Sequence, residues 1–275
     1  MDFGVYTIPS RIPGTTLTSH LARRRSDLRA IAQAGLNTMH CEFLGKNGVE
    51  SFLDLANDLS VGVIFEGVSA GDLQSFSGHP ALKGINIADD ANLKPLDLIT
   101  TTANNTLSSP RYLSMFPAYN NSQSQLYGLT EMVGVQSYVF GYSENLYSSY
   151  VIFKAARENA DRTKSRVFAN TQLHSIGGGL PTIEQVRAQT WLAAICKLDG
   201  IIAYTYVVGD QFVDPAIWKS YIDTCKEIRL RVSGPPLSVY VRPDNASINA
   251  QWRGGIDIGI DLVAGRVTYL TKRNL

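Results

Sequence analysis

The stretch Lys83–Leu93 reads KGINIADDANL and joins an apolar segment to two acids and a helical pattern. Residues 85–88 predict a short buried strand, and two adjacent carboxylates, Asp89 and Asp90, follow that strand directly. A helical pattern then covers residues 96–103. In an α/β barrel the chemistry lies where strands end and βα loops begin. The stretch therefore predicts an α/β barrel with a functional site at these two acids.

Apolar stretches of strand character recur along the chain and alternate with helical patterns. The predicted strands cover residues 3–8, 37–43, 61–65, 85–88, 111–116, 132–139, 166–173 and 200–207. The predicted helices cover residues 27–34, 50–59, 96–103, 146–160, 183–198 and 215–232. Eight predicted strands that alternate with helical patterns favour a closed (β/α)8 TIM barrel. A doubly wound open sheet is the main alternative, although no G-x-G-x-x-G motif follows the first strand.

The sequence changes character after Gly234-Pro235-Pro236. Short alternating strands separated by turn residues are predicted there, at residues 237–241, 247–252, 256–262 and 266–270. We therefore expect the barrel to occupy residues 1–233 and a small β-rich C-terminal appendage to occupy residues 234–275. The appendage is too short to be expected to fold as an independent domain.

The charge pattern argues against a nucleic-acid partner. The formal net charge is +1, and charged residues make up 18% of the chain, against roughly 25% in typical soluble domains. No broad basic surface of the kind that binds nucleic acid is expected. The one basic cluster, Arg23-Arg24-Arg25, is interpreted as the exposed lead-in to a helix, with an anion-binding patch as the alternative.

No metal, cofactor or membrane span is predicted. Cys41, Cys196 and Cys225 are too few and too widely spaced for a disulfide framework or a zinc site, so we expect buried thiols. No run of 18 apolar residues occurs. No signal-peptide pattern opens this numbering, which leaves a cytoplasmic, a virion-associated or a secreted and processed protein open. The sequence does not address the oligomeric state.

The strand-four stretch resembles barrel glycoside hydrolases of the clan-A type. In that family the strand runs apolar-apolar-Ala-Asp-Glu-Pro-Asn, and its Glu is the general acid/base. Residues 87–92 read IADDAN, so the resemblance places Asp90 at the acid/base position. Residues 182–191 with 200–204 are similar to the family's last helix and strand. Residues 133–138 resemble its sixth strand, with Gln136 where the family commonly has Asp.

The resemblance covers residues 3–230 and implies a carbohydrate-active barrel that acts on a polysaccharide or oligosaccharide. It departs at strand seven, where the family's nucleophilic Glu is expected. Residues 170–174 read NTQLH there and contain no carboxylate. Either another carboxylate serves as nucleophile, or the barrel has lost hydrolysis.

Glycoside hydrolysis usually needs two carboxyl groups, one on each side of the scissile bond. The carboxylates at predicted strand ends or loops are Glu42, Glu66, Asp89, Asp90, Glu144 and Asp210. The ends of strands two, three and four are neighbours in a barrel, so we predict Asp90 as general acid and Glu66 or Glu42 as nucleophile or base. Adjacent residues of an extended segment point to opposite sides, so at most one of Asp89 and Asp90 is expected to face the pocket. Helix capping and salt bridges are the structural alternatives for these acids.

Tyrosine and amide side chains near strand ends predict a surface that can bind sugar rings and hydroxyl groups. The predicted substrate-binding residues are Asp89, Tyr6, Tyr138, Gln136, Gln172, His174, Tyr204, Tyr206 and Asp210. Further candidates are Tyr119, Tyr142, Asn86, Asn120 and Asn170. His40 lies in the middle of a strand and is expected to be a satisfied core histidine.

Two functional hypotheses follow. The first is a glycoside hydrolase or close relative, and the second is a catalytically inactive carbohydrate-binding or structural protein of a virion or cell surface. A lyase or isomerase on the same barrel is a further alternative. The first hypothesis requires carboxyl groups that face each other in an open cleft, whereas the second predicts carboxyl groups that are salt-bridged or far apart.

Overall fold

The computed structural model describes residues 1–9, 17–106, 109–115, 124–141 and 145–272. The barrel strands are β1 Asp2–Pro9, β2 Thr38–Glu42, β3 Gly62–Glu66, β4 Leu82–Ala88, β5 Arg111–Met115, β6 Met132–Ser137, β7 Arg166–Thr171 and β8 Gly200–Gly209. The helices are α1 Leu17–Gln33, α2 Val49–Asp58, α3 Ala70–Leu73, α4 Leu96–Asn105, α5 Ser124–Tyr127, α6 Leu146–Thr163, α7 Ile183–Ile195 and α8 Pro215–Arg231. Short 3₁₀ turns cover Ala91–Leu93 and Val139–Gly141, and a two-residue strand β9, Gln211–Phe212, pairs antiparallel with β8.

The eight strands form a closed parallel barrel. Each strand pairs with the next in sequence order, and β1 also pairs with β8, which closes the ring. The predicted (β/α)8 TIM barrel is therefore confirmed, and the doubly wound sheet is excluded because such a sheet has two open edges. All carboxyl ends of the strands meet on one face of the barrel, where the candidate site is expected.

Bulky side chains fill the barrel interior, as is usual for this fold. Six of them are buried and form a cluster of their own: Tyr6, Ile64, Tyr112, Met132, Phe168 and Ile202. At the amino-terminal end of the barrel, Asp2 Oδ2 lies 2.8 Å from Lys83 Nζ and 2.7 Å from an Arg166 guanidinium nitrogen. An ion-pair cluster thus lies at the amino-terminal end of the barrel, opposite the carboxyl-terminal face where the candidate site is expected.

Helix α1 starts well before the predicted residue 27 and includes the basic cluster. The prediction of an exposed lead-in was wrong for Arg24, which is buried. Its guanidinium donates to the backbone oxygen of Thr7 and, at 2.9 Å, to the Thr7 hydroxyl. A buried arginine is tolerated here because the end of β1 offers it acceptors.

A capping box formed by Thr182 and Gln185 opens α7. The Gln185 backbone N–H donates to Thr182 Oγ1 at 3.2 Å, and the Thr182 backbone N–H donates to Gln185 Oε1 at 2.8 Å. The pair satisfies backbone N–H groups at the amino-terminal end of α7, the helix that precedes β8.

A four-stranded antiparallel sheet follows the barrel, as predicted. Its strands are β10 Ser238–Val241, β11 Ser247–Trp252, β12 Ile256–Asp261 and β13 Arg266–Lys272, paired in sequence order. The ring of Trp252 lies 5.9 Å from that of Trp191 on α7, and Leu146 N donates to Leu262 O at 3.0 Å. The sheet therefore packs on the outer helices, away from the candidate site. The division at residues 233 and 234 stays a prediction.

The described residues include all three cysteines and all the helices named above. Cys41, Cys196 and Cys225 are buried free thiols, as expected. No helix within the described ranges is long and apolar enough to cross a membrane.

Candidate functional site

An open cavity of about 570 Å³ lies at the carboxyl-terminal face of the barrel. Its lining residues are Tyr6, Ile8, Glu42, Glu66, Gly67, Asp89, Asp90, Gln136, Tyr138, Ile176 and Tyr204. Strand register explains why the acids meet: Glu42 pairs with Glu66 across β2 and β3, and both end their strands. The three predicted catalytic residues therefore share one cavity.

Glu66 holds its proton more tightly than an ordinary glutamate. Burial, together with the negative charges of Asp89 and Glu42, raises the pKa of its carboxyl to about 7. The positive charge of Lys94 and a hydrogen bond with Asn86 act in the opposite direction without cancelling the shift. Near neutral pH, Glu66 can therefore exist in both its protonated and its ionised form.

Asp89 and Asp90 both face the cavity, so the prediction that at most one would do so was wrong. The cause is the backbone of Asp90, whose φ of 47° and ψ of 46° are left-handed and break the strand alternation. Gln136 Nε2 lies 2.8 Å from Asp90 Oδ1 and 3.4 Å from Asp89 Oδ1, so one amide donates to both. Ser114 Oγ also donates to Asp89.

The pKa of Asp89 is raised, first by burial and then by the charge of Asp90, while the hydrogen bond from Ser114 lowers it. Ser114 did not emerge from the sequence as a candidate. The alternation of β5 could have revealed it, because Ser114 stands two residues after Tyr112 and therefore shares its inward-facing side.

His40 lies behind Glu66, at the inner wall of the site. It is fully buried, its Nε2 is 3.7 Å from Glu66 Oε2, and its ring centroid is 4.1 Å from that of Tyr6. Neither ring nitrogen has a hydrogen-bond partner among the described residues, so the expectation of a satisfied histidine was wrong. Burial, together with the positive charge of Arg24, lowers the pKa of His40 to about 3. The imidazole is therefore neutral.

Three tyrosines form the aromatic part of the cavity. The ring of Tyr204 lies 5.4 Å from that of Tyr138 and 5.9 Å from that of Tyr6. The Tyr6 hydroxyl is 3.1 Å from the hydroxyl of Tyr112, which donates to Asn170 Oδ1 at 3.1 Å. Burial raises the pKa values of all four phenols, so they remain protonated donors.

Gln172 and His174, two predicted binding residues from the end of β7, are not among the described residues that line the cavity. Gln172 is fully buried and occupied by backbone: its Oε1 accepts from Phe140 N, and its Nε2 donates to the carbonyls of His174 and Gly179. The imidazole of His174 is nearly buried, and burial lowers its pKa.

Tyr206 and Asp210 were also predicted to bind substrate, and neither is among the described residues that line the cavity. The ring of Tyr206 packs 4.8 Å from that of Trp218 on α8, and Asp210 forms a 3.0 Å ion pair with Arg23. A role of any of these four residues in binding stays a prediction.

Several candidates fall outside the described residues: Tyr119, Asn120, Tyr142 and Glu144. Within the described ranges, no group of three His, Cys, Asp or Glu side chains is placed to hold a metal ion. The described side chains that line the site include carboxyl, phenol and amide groups.

No protein-family model matches the chain, and no curated protein matches its sequence. Solved structures do resemble it. Gas2p of Saccharomyces cerevisiae, in complex with laminaritriose and laminaritetraose, has a TM-score of 0.59 and 11% identity over 82% of this chain. The match spans 63% of Gas2p, just under two thirds of its length.

Two further enzymes show the same relationship. The β-1,4-D-mannanase of Cryptopygus antarcticus has a TM-score of 0.57 and 11% identity over 81% of this chain and 89% of its own. The β-glucuronidase of Ruminococcus gnavus has a TM-score of 0.53 and 11% identity over 81% of this chain and 50% of its own. Identity this low shows the fold alone. The chain thus shares the barrel fold of these proteins, which confirms the fold that the resemblance implied.

Proposed function

We propose that this protein binds a polysaccharide or oligosaccharide in the cavity and hydrolyses it by carboxylate acid/base chemistry. The observation that supports this proposal most is the meeting of Glu66, with its pKa near 7, and the Asp89–Asp90 pair in one open cavity. Two carboxyl groups in different environments, one of them able to keep its proton, are what such hydrolysis requires.

Glu66 is assigned as the general acid, which reverses the roles predicted from the sequence. A general acid works best when its pKa lies near the working pH, and burial places Glu66 there. Asp90 is assigned as nucleophile or base. Its carboxylate is oriented by Gln136, a neutral donor that leaves the negative charge in place.

In the proposed reaction Glu66 transfers its proton to the glycosidic oxygen as the bond to the anomeric carbon breaks. Asp90 either attacks that carbon or removes a proton from the water that attacks it. The leaving sugar departs as an alcohol. If Asp90 attacks, water then hydrolyses the glycosyl–Asp90 ester and gives its proton to Glu66, which releases the second sugar and restores both carboxyl groups. If Asp90 acts as base, it passes the proton from water to the solvent, and Glu66 takes up a proton from the solvent. A carboxyl separation of about 5–5.5 Å would give retention, and roughly 6.5–9.5 Å would give inversion.

A second candidate function is saccharide binding without cleavage, in a structural or surface protein. The observation that favours it lies at the end of β7, which carries no carboxylate and where Gln172 is committed to backbone groups. The carboxylates among the described lining residues of the cavity come from the ends of β2, β3 and β4, on one side of the barrel. Such a one-sided arrangement can hold a sugar without placing acids on both sides of a bond.

Hydrolysis of a panel of polysaccharides and aryl glycosides tests the proposal. Glu66→Gln and Asp90→Asn should each lower the rate by at least about a hundredfold, because each removes one proton-transfer or nucleophilic group. Wild-type activity should fall as the pH rises above about 7, where Glu66 loses its proton. The matched control is Glu158→Gln, an exposed residue of α6 paired with Lys154, and it should keep full activity.

Two results would contradict the proposed roles. If no substrate releases sugar but one glycan binds with the same affinity to wild type and Asp90→Asn, the second candidate function replaces the first. If Glu66→Gln retains wild-type hydrolysis, Glu66 is not the acid.

A further inference from the structure

The cavity carries more carboxyl groups than hydrolysis uses. Two suffice for the reaction, whereas Glu42, Glu66, Asp89 and Asp90 all line the cavity. None of its described lining residues is a lysine or an arginine. A substrate that enters the cavity therefore meets an acidic surface.

Neutral hydrogen-bond donors hold the carboxyl groups of Asp89 and Asp90 in place. Both carboxylates accept from Gln136, and Asp89 also accepts from Ser114, and these donors are uncharged. The cation that acts on Asp89 is Lys94, whose side chain is exposed and therefore screened by water and salt. The partly buried cavity strengthens the attraction of the acids for a cation.

His40 gives an independent observation beside Glu66, because its ring nitrogens have unused hydrogen-bonding capacity. Its imidazole is fully buried and points Nε2 toward Glu66 at 3.7 Å, beyond hydrogen-bond distance. Neither of its nitrogens has a hydrogen-bond partner among the described residues. Because the imidazole is neutral, it brings no positive charge to the wall.

The aromatic side of the cavity favours a particular kind of cation. Tyr138 and Tyr204 lie 5.4 Å apart and line the same cavity as the acids. Aromatic faces attract ammonium groups and also pack against the apolar faces of sugar rings. A bare metal ion would use the carboxylates alone, whereas a sugar that carries an amine uses both kinds of side chain.

We propose that the cavity takes an amino sugar with a free, protonated amine, with the ammonium group among Asp89, Asp90 and Glu66 and the sugar ring against Tyr138 and Tyr204. This inference rests on the proposed saccharide site and names its substrate class. Uronic acids are disfavoured because their carboxylates meet like charges. Acetylated amino sugars lose the charge on which the recognition depends.

Binding of three β-1,4-linked glucose-type tetrasaccharides tests this inference. They differ only at carbon 2, which carries a hydroxyl, an acetamido group or a free amine. The titration uses Glu66→Gln protein at pH 6, where aliphatic amines are charged. Gln copies the uncharged side chain that Glu66 largely has at that pH and removes the proposed acid, so the ligand stays intact. Thermal unfolding confirms that each variant is folded.

The free-amine tetrasaccharide should bind at least about tenfold more tightly than the other two, which is about 1.4 kcal/mol of preference. Raising the salt concentration from 50 to 500 mM should reduce that preference severalfold. Adding Asp89→Asn should reduce it as well, because a charge is lost while the side-chain shape is kept. Adding Glu158→Gln, far from the cavity on α6, should leave it unchanged.

Equal affinities, or tightest binding of the hydroxyl or acetamido form, would overturn the inference. In that case the hydrolase function would still be supported if the wild type cleaves a neutral glycan and Glu66→Gln does not. Absence of binding by all three tetrasaccharides would also overturn the inference, and the hydrolysis panel would then decide separately on the proposed function.

Discussion

His40 couples the stability of the barrel to pH at the scale of a single residue. Its pKa is about 3 in the folded protein, first because of burial and then because of the charge of Arg24, against 6.5 ordinarily. Between these values the unfolded chain binds a proton at His40 and the folded chain does not. Stability is therefore fully present above pH 6.5 and is lost as the pH falls toward 3.

We expect His40→Phe to remove most of this acid sensitivity while keeping a ring against Tyr6. The contribution of His40 is on the order of 5 kcal/mol over the whole window. Urea unfolding at pH 7 and pH 4 would measure it. The wild type should lose more unfolding free energy than the variant between these two pH values, and equal losses would show that His40 is not held neutral.

Residue types near strand ends were readable from the sequence, but their orientations were not. The adjacency of Asp89 and Asp90 located the site, yet the left-handed backbone of Asp90 that turns both acids into the cavity has no sequence signal. Gln136 was predicted to touch substrate, and the structure shows it also fixing both acids. Such contacts arise between strands distant in sequence, so only the folded barrel reveals them.

At the scale of elements, β6 depends on a glycine. A methyl group on Gly134 would collide with the Tyr112 hydroxyl and with Asn170 Oδ1, which are hydrogen-bonded to each other. Gly134→Ala should therefore lower the unfolding free energy by about 1–3 kcal/mol, the usual cost of overpacking a core. Chemical denaturation would measure the loss.

The matched control is Gly78→Ala, because an added methyl group there meets no atom within 4 Å. That substitution should be nearly neutral. If both alanine variants unfold alike, the close approach at Gly134 does not constrain the barrel.

The positions of the elements followed from local signals to different degrees. Buried strands such as β3 and β6 are continuous apolar runs, and their observed ends lie close to the predicted ones. The start of α1 was missed because three consecutive arginines suggested exposure. The helix accommodates Arg24 through acceptors on Thr7, which are provided by a separate strand.

At the scale of the whole molecule, Asp2 links three strands spaced around the barrel. Its carboxylate pairs with Lys83 of β4 and Arg166 of β7. Burial alone would raise the pKa of Asp2, but the hydrogen bonds and charges of both partners outweigh it and lower the pKa to about 2. The stabilisation that these two ion pairs give the folded protein is fully present above pH 3.8, the ordinary pKa of an aspartate. It is lost as the pH falls through 2.

Asp2→Asn should lower the unfolding free energy by about 2 kcal/mol at pH 7, and the difference should disappear toward pH 2. Asp161→Asn is the control, since that carboxylate is exposed and pairs with Arg157 on the surface of α6. Exposed pairs contribute little, so this variant should stay within about 0.5 kcal/mol of wild type. Equal effects of the two variants would contradict a structural role for the cluster.

The proposed acid/base chemistry depends on Glu66 keeping its proton near neutral pH. Titration of its side-chain carboxyl by carbon-13 NMR, with the resonance identified by its absence in Glu66→Gln, measures this directly. Glu42, Asp89, His40 and Lys94 surround the group, and burial together with the neighbouring acids predicts a midpoint near pH 7. A midpoint near the ordinary 4.5 would leave the cavity without this proton donor at neutral pH and would contradict the proposed acid/base chemistry.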